Sequence, residues 1–592
     1  MANAHSIAAG FSFFACLFLS SEVAVAAGFT PTHSIPLRIV TNSPAYARGG
    51  YDAARLIDGN PETEFASESG GTNTFVTLRF PSPQTVIAFR HVDRADRALI
   101  ARSELIFTDD AGAIVEQLEV KHVERKAGET FFVFPKPVRA SGVEWRVTEL
   151  GASGVGTVGG AELEFFSAGA AEQNPAKDTA SARALPFLDK LGNQQIQVTV
   201  EHPYLETDKV ALRVGDRRME VQLVHGRNVF TTDLPGVKSN LTQKVELQLS
   251  PSVTREASFA QSPIRPMLIY ILPHSHTDVG YTDLQTVIAE KQVNNLRRGM
   301  ELARRTANYP DGARFVWNVE ALWAADLFLQ RANPMERREF FDAVRSGRVE
   351  LSGMYLNELS ALCRPEELIH LFRYATELSE ATGKKIESAM ISDVPAFTWG
   401  GVTAMAQAGI RYLSDGPNYG ERHFMSFWAD KPFYWIGPDG KSKVLVWISF
   451  QGYALAHIYD ALSPRLIDDL CTRLQKPSYP YEIAYIRWAG LGDNGVPDES
   501  LCDVVKDWNR THQSPHFKIA GTTEAFQALE QRYGKSLPEY RGDWTPYWEN
   551  GAGSAARETA LNRQTAERLT QAQTLFAMLR PEAYPKKDFD AA

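Results

Sequence analysis

Apolar and polar residues alternate in short runs over the first part of the chain. The runs FVTLRF at Phe75–Phe80, AFRHV at Ala88–Val92 and ELIFT at Glu104–Thr108 place every second side chain on one face, which predicts half-buried strands. The segment Asp109–Gly112 is a turn signal after the last of them. We therefore predict an all-β domain over residues 30–168.

The alternation returns after a polar stretch. Residues 169–188 are rich in Ala, Glu, Asn, Lys, Asp and Ser and are predicted to form a linker. Residues 189–262 then alternate again, for example in KVALRV at Lys209–Val214 and KVELQL at Lys244–Leu249. This pattern predicts a small second β-sandwich, in which no functional motif is visible.

A different pattern begins at Arg265. The run MLIYIL at Met267–Leu272 is continuously apolar, as in a strand that is buried on both faces. Helical patterns then alternate with short apolar strands, which predicts a barrel-like α/β domain with parallel strands over residues 265–530. Residues 535–592 become polar and then helical, and we predict the start of a helical bundle there.

The N-terminus indicates export. The run IAAGFSFFACLFL at Ile7–Leu19 has the length of a signal-peptide apolar segment, and the small residues Ala24-Val25-Ala26 follow it as a cleavage site. We expect residues 1–27 to be a signal peptide and the protein to be secreted or periplasmic. The apolar run is too short for a membrane span and no later run has the length, so we expect no membrane span.

Composition narrows the class of protein. The 592 residues suffice for three or four domains at roughly 150 residues each. Lys and Arg number 62 against 71 Asp and Glu, a net charge of −9, which argues against a nucleic-acid partner because such proteins need a basic surface. Of the four cysteines, Cys16 lies in the signal segment, and the others form no C-x-x-C pair, which excludes a cysteine-based zinc site.

The segment PHSHTDVGY at Pro273–Tyr281 carries the strongest chemical signal. It directly follows the buried strand, and active sites of α/β domains collect at the carboxyl ends of parallel strands. His276 and Asp278 are two residues apart and point to the same side of an extended backbone. An imidazole and a carboxylate there form half of a divalent-metal site suited to Zn; the alternative is a loop with hydrogen-bonded histidines.

Two further carboxylates follow predicted strands. Asp393 comes after Ala389-Met390-Ile391, where it could be a metal ligand, a nucleophile or a helix N-cap. Asp493 lies in the Gly-rich segment LGDNG after the strand Ile483–Trp488, where it could enter a crowded pocket or form a turn.

Together these residues resemble glycoside hydrolase family 38, the α-mannosidase family. The family's first motif is matched by Pro273–Tyr281, and its second by Asp393 followed by AQAGIRYL at Ala406–Leu413. The resemblance extends over about residues 265 to 580. Further matching segments are Phe315–Trp323, Ser346–Glu350, Phe433–Lys441, Leu491–Gly495, Arg541–Trp544 and Arg557–Asn562.

The family implies a role for each of these residues. His276 and Asp278 would bind Zn, and Asp393 would bind the same ion and attack the anomeric carbon, which gives a retaining double displacement. Asp493 is the best match for the general acid/base. The substrate contacts that the resemblance implies are His274, which orients a ligand or the substrate, and Tyr281 and Trp544, which are sugar platforms or packing residues.

Departures from the family pattern leave the identity of the substrate sugar undetermined. Asp278 is followed by Val-Gly-Tyr where many mannosidases have Pro-Gly-Trp, and Asp393 by Val-Pro-Ala-Phe-Thr where many have Pro-Phe-Gly. The family places a fourth metal ligand, a His, beyond the helical segment, and no His follows Asn562. We therefore expect either a fragment of a longer protein or a shortened branch of the family.

The first all-β stretch resembles a discoidin, or coagulation-factor type C, domain. The matching segments are Ala54–Thr63, Phe75–Phe80 and Ser103–Gly112. The resemblance implies a galactose-binding-like β-sandwich that often binds carbohydrate, with a structural Ca at Asp58-Gly59-Asn60. A sandwich that merely spaces the enzyme is the alternative.

The leading expectation is a secreted, metal-dependent glycoside hydrolase that resembles α-mannosidases and acts on glycans or oligosaccharides. A polysaccharide deacetylase or lyase on a similar barrel, and a non-catalytic glycan-binding protein, are the alternatives. One Zn ion is expected, and the donor set leaves Mn, Co or Ca open.

Overall fold

The structure is a computed structural model that describes residues 33–591 except 48–49, 168–177, 395–396, 419–428, 450–451, 454, 457–460, 491 and 545–547. The predicted signal peptide at 1–27 and residues 169–177 of the predicted linker lie outside the described residues. The chain divides into two compact units. Unit 1 consists of Met1–Arg183, Gln197–Thr232 and Thr242–Ala260, and unit 2 of Ala184–Ile196, Asp233–Leu241 and Gln261–Ala592.

The first part of unit 1 is built from β-strands. These are β1 (His33–Ser34), β2 (Arg38–Asn42), β3 (Phe65–Ala66), β4 (Phe75–Val92), β5 (Ile100–Thr108), β6 (Ile114–Lys121), β7 (Glu129–Leu150), β8 (Gly159–Gly160) and β9 (Glu162–Ser167). The main sheet has the order β1-β9-β4-β7-β5-β6, with β2 also on β4, and its pairings are antiparallel.

Alternation explains the core of this sheet. In β5, Ser103, Leu105 and Phe107 are buried and the residues between them are half-buried. Trp145 and Phe165 are completely buried in the same core. The prediction of an all-β stretch is confirmed. Burial of one face of each strand also fixes the register of that strand against its neighbours.

A second set of strands follows. These are β10 (Thr179–Asp189), β11 (Asn193–His202), β12 (Asp208–Val214), β13 (Arg217–Leu223), β14 (Gly226–Pro235), β15 (Leu241–Ser250) and β16 (Val253–Gln261). Four of them form a sheet in the order β13-β12-β15-β16. Residues 179–188 were predicted as linker but belong to β10, because Leu185 and Phe187 are buried.

Strands and helices alternate through the rest of unit 2, as predicted. The elements are β17 (Leu268–Pro273), α1 (Gln285–Arg305), β18 (Trp317–Val319), α2 (Leu322–Arg331), α3 (Pro334–Arg345), β19 (Val349–Leu351), α4 (Pro365–His370), α5 (Arg373–Thr382), β20 (Ser388–Asp393), α6 (Gly400–Gln407), β21 (Tyr412–Pro417), β22 (Phe433–Ile436), β23 (Lys443–Ile448), α7 (Pro464–Leu474), β24 (Ile483–Trp488), α8 (Leu501–Thr511), β25 (His512–Ser514), β26 (His516–Ile519), α9 (Thr522–Tyr533), β27 (Glu539–Tyr540), α10 (Ala556–Leu579) and α11 (Lys586–Ala591).

Three sheets with parallel pairings carry this α/β region. Their orders are β24-β17-β26, β18-β19 and β20-β21-β23-β22-β27, and only the β22–β23 pair is antiparallel among these pairings. The β17 strand lies between two parallel neighbours and is buried from Ile269 onward, which explains its continuous apolar run. A closed barrel stays a prediction.

Strand register determines where the loops with the candidate catalytic residues lie. Pro273 at the end of β17 pairs with Trp488 at the end of β24. Asp393 at the end of β20 pairs with Pro417 at the end of β21. The segments that follow each pair therefore leave the sheet at the same edge.

The C-terminal part of unit 2 is exposed. Helix α10 spans 24 residues and none of them is buried, so the predicted bundle stays a prediction. Within the described residues, no helix combines the length and the apolar character that crossing a membrane requires. Cys363, Cys471 and Cys502 are free thiols.

Candidate active site

The histidine loop after β17 is held against the loop after β24. Backbone N–H of Asn494 donates to the His276 carbonyl at 2.9 Å, and Asn494 Nδ2 donates to the Asp278 carbonyl at 2.9 Å. Asn494 Oδ1 accepts from the backbone N–H of Asp278 at 3.3 Å. These bonds bring Asp493, the neighbour of Asn494, next to His276 and Asp278.

Two amides on helix α1 brace this junction. Gln292 Nε2 donates to Asn494 Oδ1 at 2.8 Å, and Asn295 Nδ2 donates to the Gly495 carbonyl at 3.0 Å. Both side chains are buried. Neither residue was predicted from the sequence, although polar residues on the apolar face of a helix are a signal for buried hydrogen bonds.

Glu320 lies at the carboxyl end of β18 and is completely buried. Its Oε1 accepts from the Thr277 backbone N–H at 3.1 Å and from Asn357 Nδ2 at 2.9 Å. Its Oε2 lies 3.0 Å from Arg487 Nη2 and accepts a short hydrogen bond from Ser392 Oγ. Burial alone would raise the pKa of Glu320, but the hydrogen bonds and charges of His274 and His276 lower it well below 4.5.

His276 points one ring nitrogen at this carboxylate. Its Nδ1 lies 3.2 Å from Glu320 Oε1, which places the proton on Nδ1 and leaves the Nε2 lone pair free for the other side. Burial would lower the pKa of His276, but the bond to Glu320 and the charges of Glu320, Asp393 and Asp493 raise it above 6.5. Both aspartates therefore lie within electrostatic reach of the ring.

His274 lies behind the site. Arg487 Nε donates to its Nε2 at 3.3 Å, and its Nδ1 is 2.9 Å from Glu320 Oε2. Burial, and then the charge of Arg487, lower the pKa of His274 to about 4, so the ring is neutral at neutral pH. The residue is fully buried.

Asp393 adopts a strained backbone at the end of β20. Its φ is 68°, in the left-handed region that non-glycine residues rarely occupy. Asn418 holds it there: Nδ2 donates to Asp393 Oδ1 at 2.8 Å, and the Asn418 backbone N–H donates to the Asp393 carbonyl at 3.1 Å. This turn directs the carboxylate away from the strand.

Tyr453 connects the two proposed catalytic carboxylates. Burial, followed by the charges of Asp393 and Asp493 and by hydrogen bonds to both, raises the pKa of Tyr453 well above 10. Its ring centroid lies 4.4 Å from that of His276. Tyr453 was not predicted from the sequence, although the apolar strand β23 and Gly452 precede it.

Asp278 and Asp493 complete the acidic side of the site. Burial, and then the charges of Asp493 and Asp393, raise the pKa of Asp278, while His276 opposes the shift. Asp493 Oδ1 is buried and has no hydrogen-bond partner. Asp278, Asp393, Asp493 and His276 thus lie within electrostatic reach of one another after the ends of β17, β20 and β24.

The two predicted sugar platforms differ in placement. Tyr281 is 92% exposed, in the same loop as Asp278. Trp544 is 8% exposed and stacks flat on Trp435, with centroids 3.9 Å apart. Trp435 covers one face of the buried Trp544 ring, which favours packing, and the role of Trp544 as a sugar platform stays a prediction.

The donor set suits a divalent cation. The Nδ1–H of His276 is held by Glu320, the arrangement that orients a ligating imidazole. Asp493, whose Oδ1 is buried without a hydrogen-bond partner, lies within electrostatic reach of Asp278. Within the described ranges, no three His, Cys, Asp or Glu side chains already surround one point as a formed metal site does. The residues fit an ion chemically, and binding one would draw the carboxylates together.

Comparison with known proteins places this site in a family context. Residues 266–543 match the family model described as glycosyl hydrolases family 38 N-terminal domain. The matched segment contains His276, Asp278, Asp393 and Asp493. This segment of unit 2 is therefore similar to the N-terminal domain of that family. No curated protein matches the chain.

Solved structures give distant likenesses. An alpha-mannosidase from Enterococcus faecalis V583 is 14% identical with a TM-score of 0.38, and the match covers 47% of this chain and 31% of that one. A 4-alpha-glucanotransferase from Thermococcus litoralis is 14% identical with a TM-score of 0.35 and coverages of 52% and 47%. CBM32-1 from a family 31 glycoside hydrolase of Clostridium perfringens is 12% identical with a TM-score of 0.20 and coverages of 22% and 96%. The match thus spans about a third of the length of the mannosidase.

Proposed function

We propose that this chain is a secreted or periplasmic, metal-dependent glycoside hydrolase of the α-mannosidase type, acting on glycans or oligosaccharides with retention. The apolar run near the N-terminus supports export. One observation carries the proposed chemistry: Asp393 and Asp493, from the ends of different strands, both hydrogen-bond Tyr453 within the segment that matches family 38.

The two aspartates have different roles in the proposed reaction. Asp393 attacks the anomeric carbon and forms a covalent glycosyl intermediate, while Asp493 donates a proton to the leaving oxygen. Asp493 then accepts a proton from the water that releases the sugar. Tyr453 keeps the two carboxylates apart, and the left-handed turn at Asp393 aims the nucleophile.

His276, Asp278 and Asp393 would hold one Zn ion, which supplies a Lewis acid that grips sugar hydroxyls. Two other residues orient these ligands: Glu320 fixes the ring of His276, and Asn494 fixes the backbone of Asp278. Tyr281 offers an exposed ring for the sugar face, and His274 orients the site from behind.

The test of the nucleophile uses aryl glycosides, starting with an aryl α-mannoside. Asp393→Asn should lower kcat by at least about 10⁴-fold, and Asp493→Asn by about 10²–10⁴-fold. The matched control is Asp498→Asn, because Asp498 lies in the same loop and accepts a bond from Trp488 Nε1 at 3.0 Å that an amide oxygen can also accept. Full activity of Asp393→Asn would refute the proposed role.

Stereochemistry and adduct mass test the same mechanism independently. Proton NMR should detect the α-anomer of the released sugar first, and a fluorinated mannosyl fluoride should leave its mass on the peptide that contains Asp393. First appearance of the β-anomer would contradict retention. Release of acetate or of an unsaturated uronide would instead indicate a deacetylase or a lyase.

We propose in addition that the discoidin-like sandwich binds carbohydrate and holds a structural Ca ion. Glu162 is 4% exposed and its Oε1 has no partner. Burial, and then the charges of Glu164 and Asp58, raise the pKa of Glu162 to about 8. Asp58 shapes the adjacent loop by accepting from the Asn60 backbone N–H at 2.9 Å and from Thr63 Oγ1 at 2.8 Å.

Calcium should therefore raise the thermal unfolding temperature of the full chain. The increase should be absent in Glu162→Gln and present in Glu119→Gln, a control at an exposed carboxylate. An equal increase in both variants would show that the ion binds elsewhere.

A further inference from the structure

Glu320 is a buried carboxylate of the site for which the proposed reaction has no chemical step. It follows β18, a three-residue strand, and is surrounded by groups from the ends of other strands. A fully buried carboxylate must receive hydrogen bonds on both oxygens to remain charged. The donors of these hydrogen bonds show which parts of the site Glu320 connects.

Its two oxygens face different parts of the site. On one side, Oε1 contacts His276 Nδ1 at 3.2 Å and the backbone N–H of Thr277 at 3.1 Å, which fixes the loop that carries His276 and Asp278. On the other side, Oε2 accepts from Ser392 Oγ, the residue directly before Asp393.

Asn357 links the two sides. Its Nδ2 donates to Glu320 Oε1 at 2.9 Å, while its Oδ1 accepts from the backbone N–H of Ser392 at 3.2 Å. The backbone of the proposed nucleophile is therefore tied to the same carboxylate as the ring of His276.

We propose that Glu320 is a positioning residue that holds His276 in the Nδ1–H form with Nε2 toward the aspartates and, through Ser392 and Asn357, fixes the backbone of Asp393. This inference rests on the proposed function. Glu320 touches no reacting atom, and it sets the distance between the imidazole and the nucleophile.

A purely structural role as a counter-ion for Arg487 makes a different prediction. Arg487 also faces the charge of Asp415, a buried carboxyl group whose Oδ1 has no hydrogen-bond partner. Asp415→Asn is thus a matched control, because it removes a second carboxyl group beside Arg487 and leaves the bonds to His276 and Ser392 in place.

The experiment compares Glu320→Gln, Glu320→Asp and Asp415→Asn in the full chain. Zn²⁺ affinity is measured by competition with a chromophoric chelator, and kcat and KM with an aryl α-mannoside. Glu320→Gln should bind Zn²⁺ about 10–100-fold more weakly and lower kcat at least about tenfold with little change in KM. Glu320→Asp, which keeps the charge, should recover part of the Zn²⁺ affinity.

Asp415→Asn should match the wild type within about threefold in both measurements. Wild-type Zn²⁺ affinity and kcat in Glu320→Gln would overturn the proposal, as would equal losses in Glu320→Gln and Asp415→Asn. If the wild type hydrolyses no glycoside, the proposed function fails, while the Zn²⁺ comparison still decides the role of Glu320.

A measurement on the wild-type protein tests the proposal even if a Glu320 variant does not fold. Selective ¹⁵N labelling of histidine, with His276 assigned by comparison with His276→Gln, reports which ring nitrogen carries the proton at pH 9. A proton on Nδ1 supports the proposal. A proton on Nε2 would overturn it, because Glu320 would then not be the acceptor.

Discussion

At the scale of single residues, the candidate site separates into groups that the sequence marks and groups that it does not. His276, Asp278, Asp393 and Asp493 each follow an apolar run, and position after a buried strand was enough to single them out. Glu320 also follows a short apolar run, but its role depends on hydrogen bonds from residues up to 167 positions away. Spacing along the chain carries no information about such partners.

The first residue-scale prediction concerns the buried pair of Arg487 and Glu320. Arg487 is fully buried and donates to Glu320, Ser392 and the Ile391 carbonyl. Arg487→Met should lower the free energy of unfolding by about 3–5 kcal/mol, because a buried charge and several acceptors lose their donor. Urea denaturation measures this.

The control for this prediction is Arg102→Met, which removes an exposed pair with Glu119 and should cost less than about 1 kcal/mol. Equal losses in the two variants would contradict the assignment of Arg487 to a stabilising network.

The second residue-scale prediction concerns two histidines in the core of unit 1. Burial lowers the pKa of His91 to about 4 and that of His122 to about 2. Between these values and 6.5, the unfolded chain binds protons that the folded one does not, so their stabilising contribution is lost as the pH falls below 6.5. Each contributes up to about 1.4 kcal/mol per pH unit.

The variant His122→Leu should therefore lose less stability than the wild type between pH 7 and pH 5. Hydrogen exchange of β4 and β7, followed by mass spectrometry, reports the local stability. His370→Gln changes an exposed histidine and should keep the wild-type pH dependence. An unchanged pH dependence in His122→Leu would refute the prediction.

At the scale of elements, periodicity identified the apolar strands that precede the candidate site. The strands Ala389-Met390-Ile391 before Asp393 and Ile483–Trp488 before Asp493 were predicted, and β20 and β24 lie at these positions. Residues 179–188 were misread as linker, because small and polar residues precede the two buried residues Leu185 and Phe187. The polar composition of this segment predicted a linker. The two apolar residues gave a weaker signal, and only the structure shows that they are buried.

Loop conformation after β24 yields the element-scale prediction. Gly490 has φ +71°, and a Cβ there would lie 2.5 Å from the Val496 carbonyl oxygen. Gly490→Ala should shift the loop that carries Asp493, lower kcat at least about tenfold, and destabilise by more than the roughly 1–2 kcal/mol of a left-handed alanine. Steady-state kinetics and urea denaturation measure both effects.

Gly383 provides the matched control. Its φ is +70°, but no atom lies within 4 Å of a Cβ built there. Gly383→Ala should therefore show only the left-handed cost and keep kcat. A similar loss of kcat in both variants would mean that backbone conformation, rather than the contact with Val496, disturbs the site.

At the scale of the whole molecule, each unit has its own core and its own proposed ligand chemistry. The buried aromatic core of the sandwich belongs to unit 1, and the carboxylate site belongs to unit 2. The exposed helix α10 lies outside both cores. An ion pair between Glu567 of α10 and Arg364, the N-cap of α4, at 3.7 Å is of a type that contributes little to stability.

Removal of residues 555–592 should therefore change the thermal unfolding temperature by less than about 2 °C. Calorimetry of the shortened and full chains measures it. A decrease of 5 °C or more would show that α10 stabilises unit 2 through contacts with the rest of the chain.

The sequence by itself determined the classes of structure and the candidate residues. Alternation predicted the β-region, apolar runs predicted the parallel strands, and polar residues after those runs indicated the metal and catalytic candidates. These features are local, because strand and helix periods repeat within a few residues. The tertiary structure decided which side chains meet. It brought Tyr453 between two aspartates, placed Glu320 behind His276 and buried Trp544 against Trp435, because such contacts follow from strand register and packing between elements that are distant in sequence.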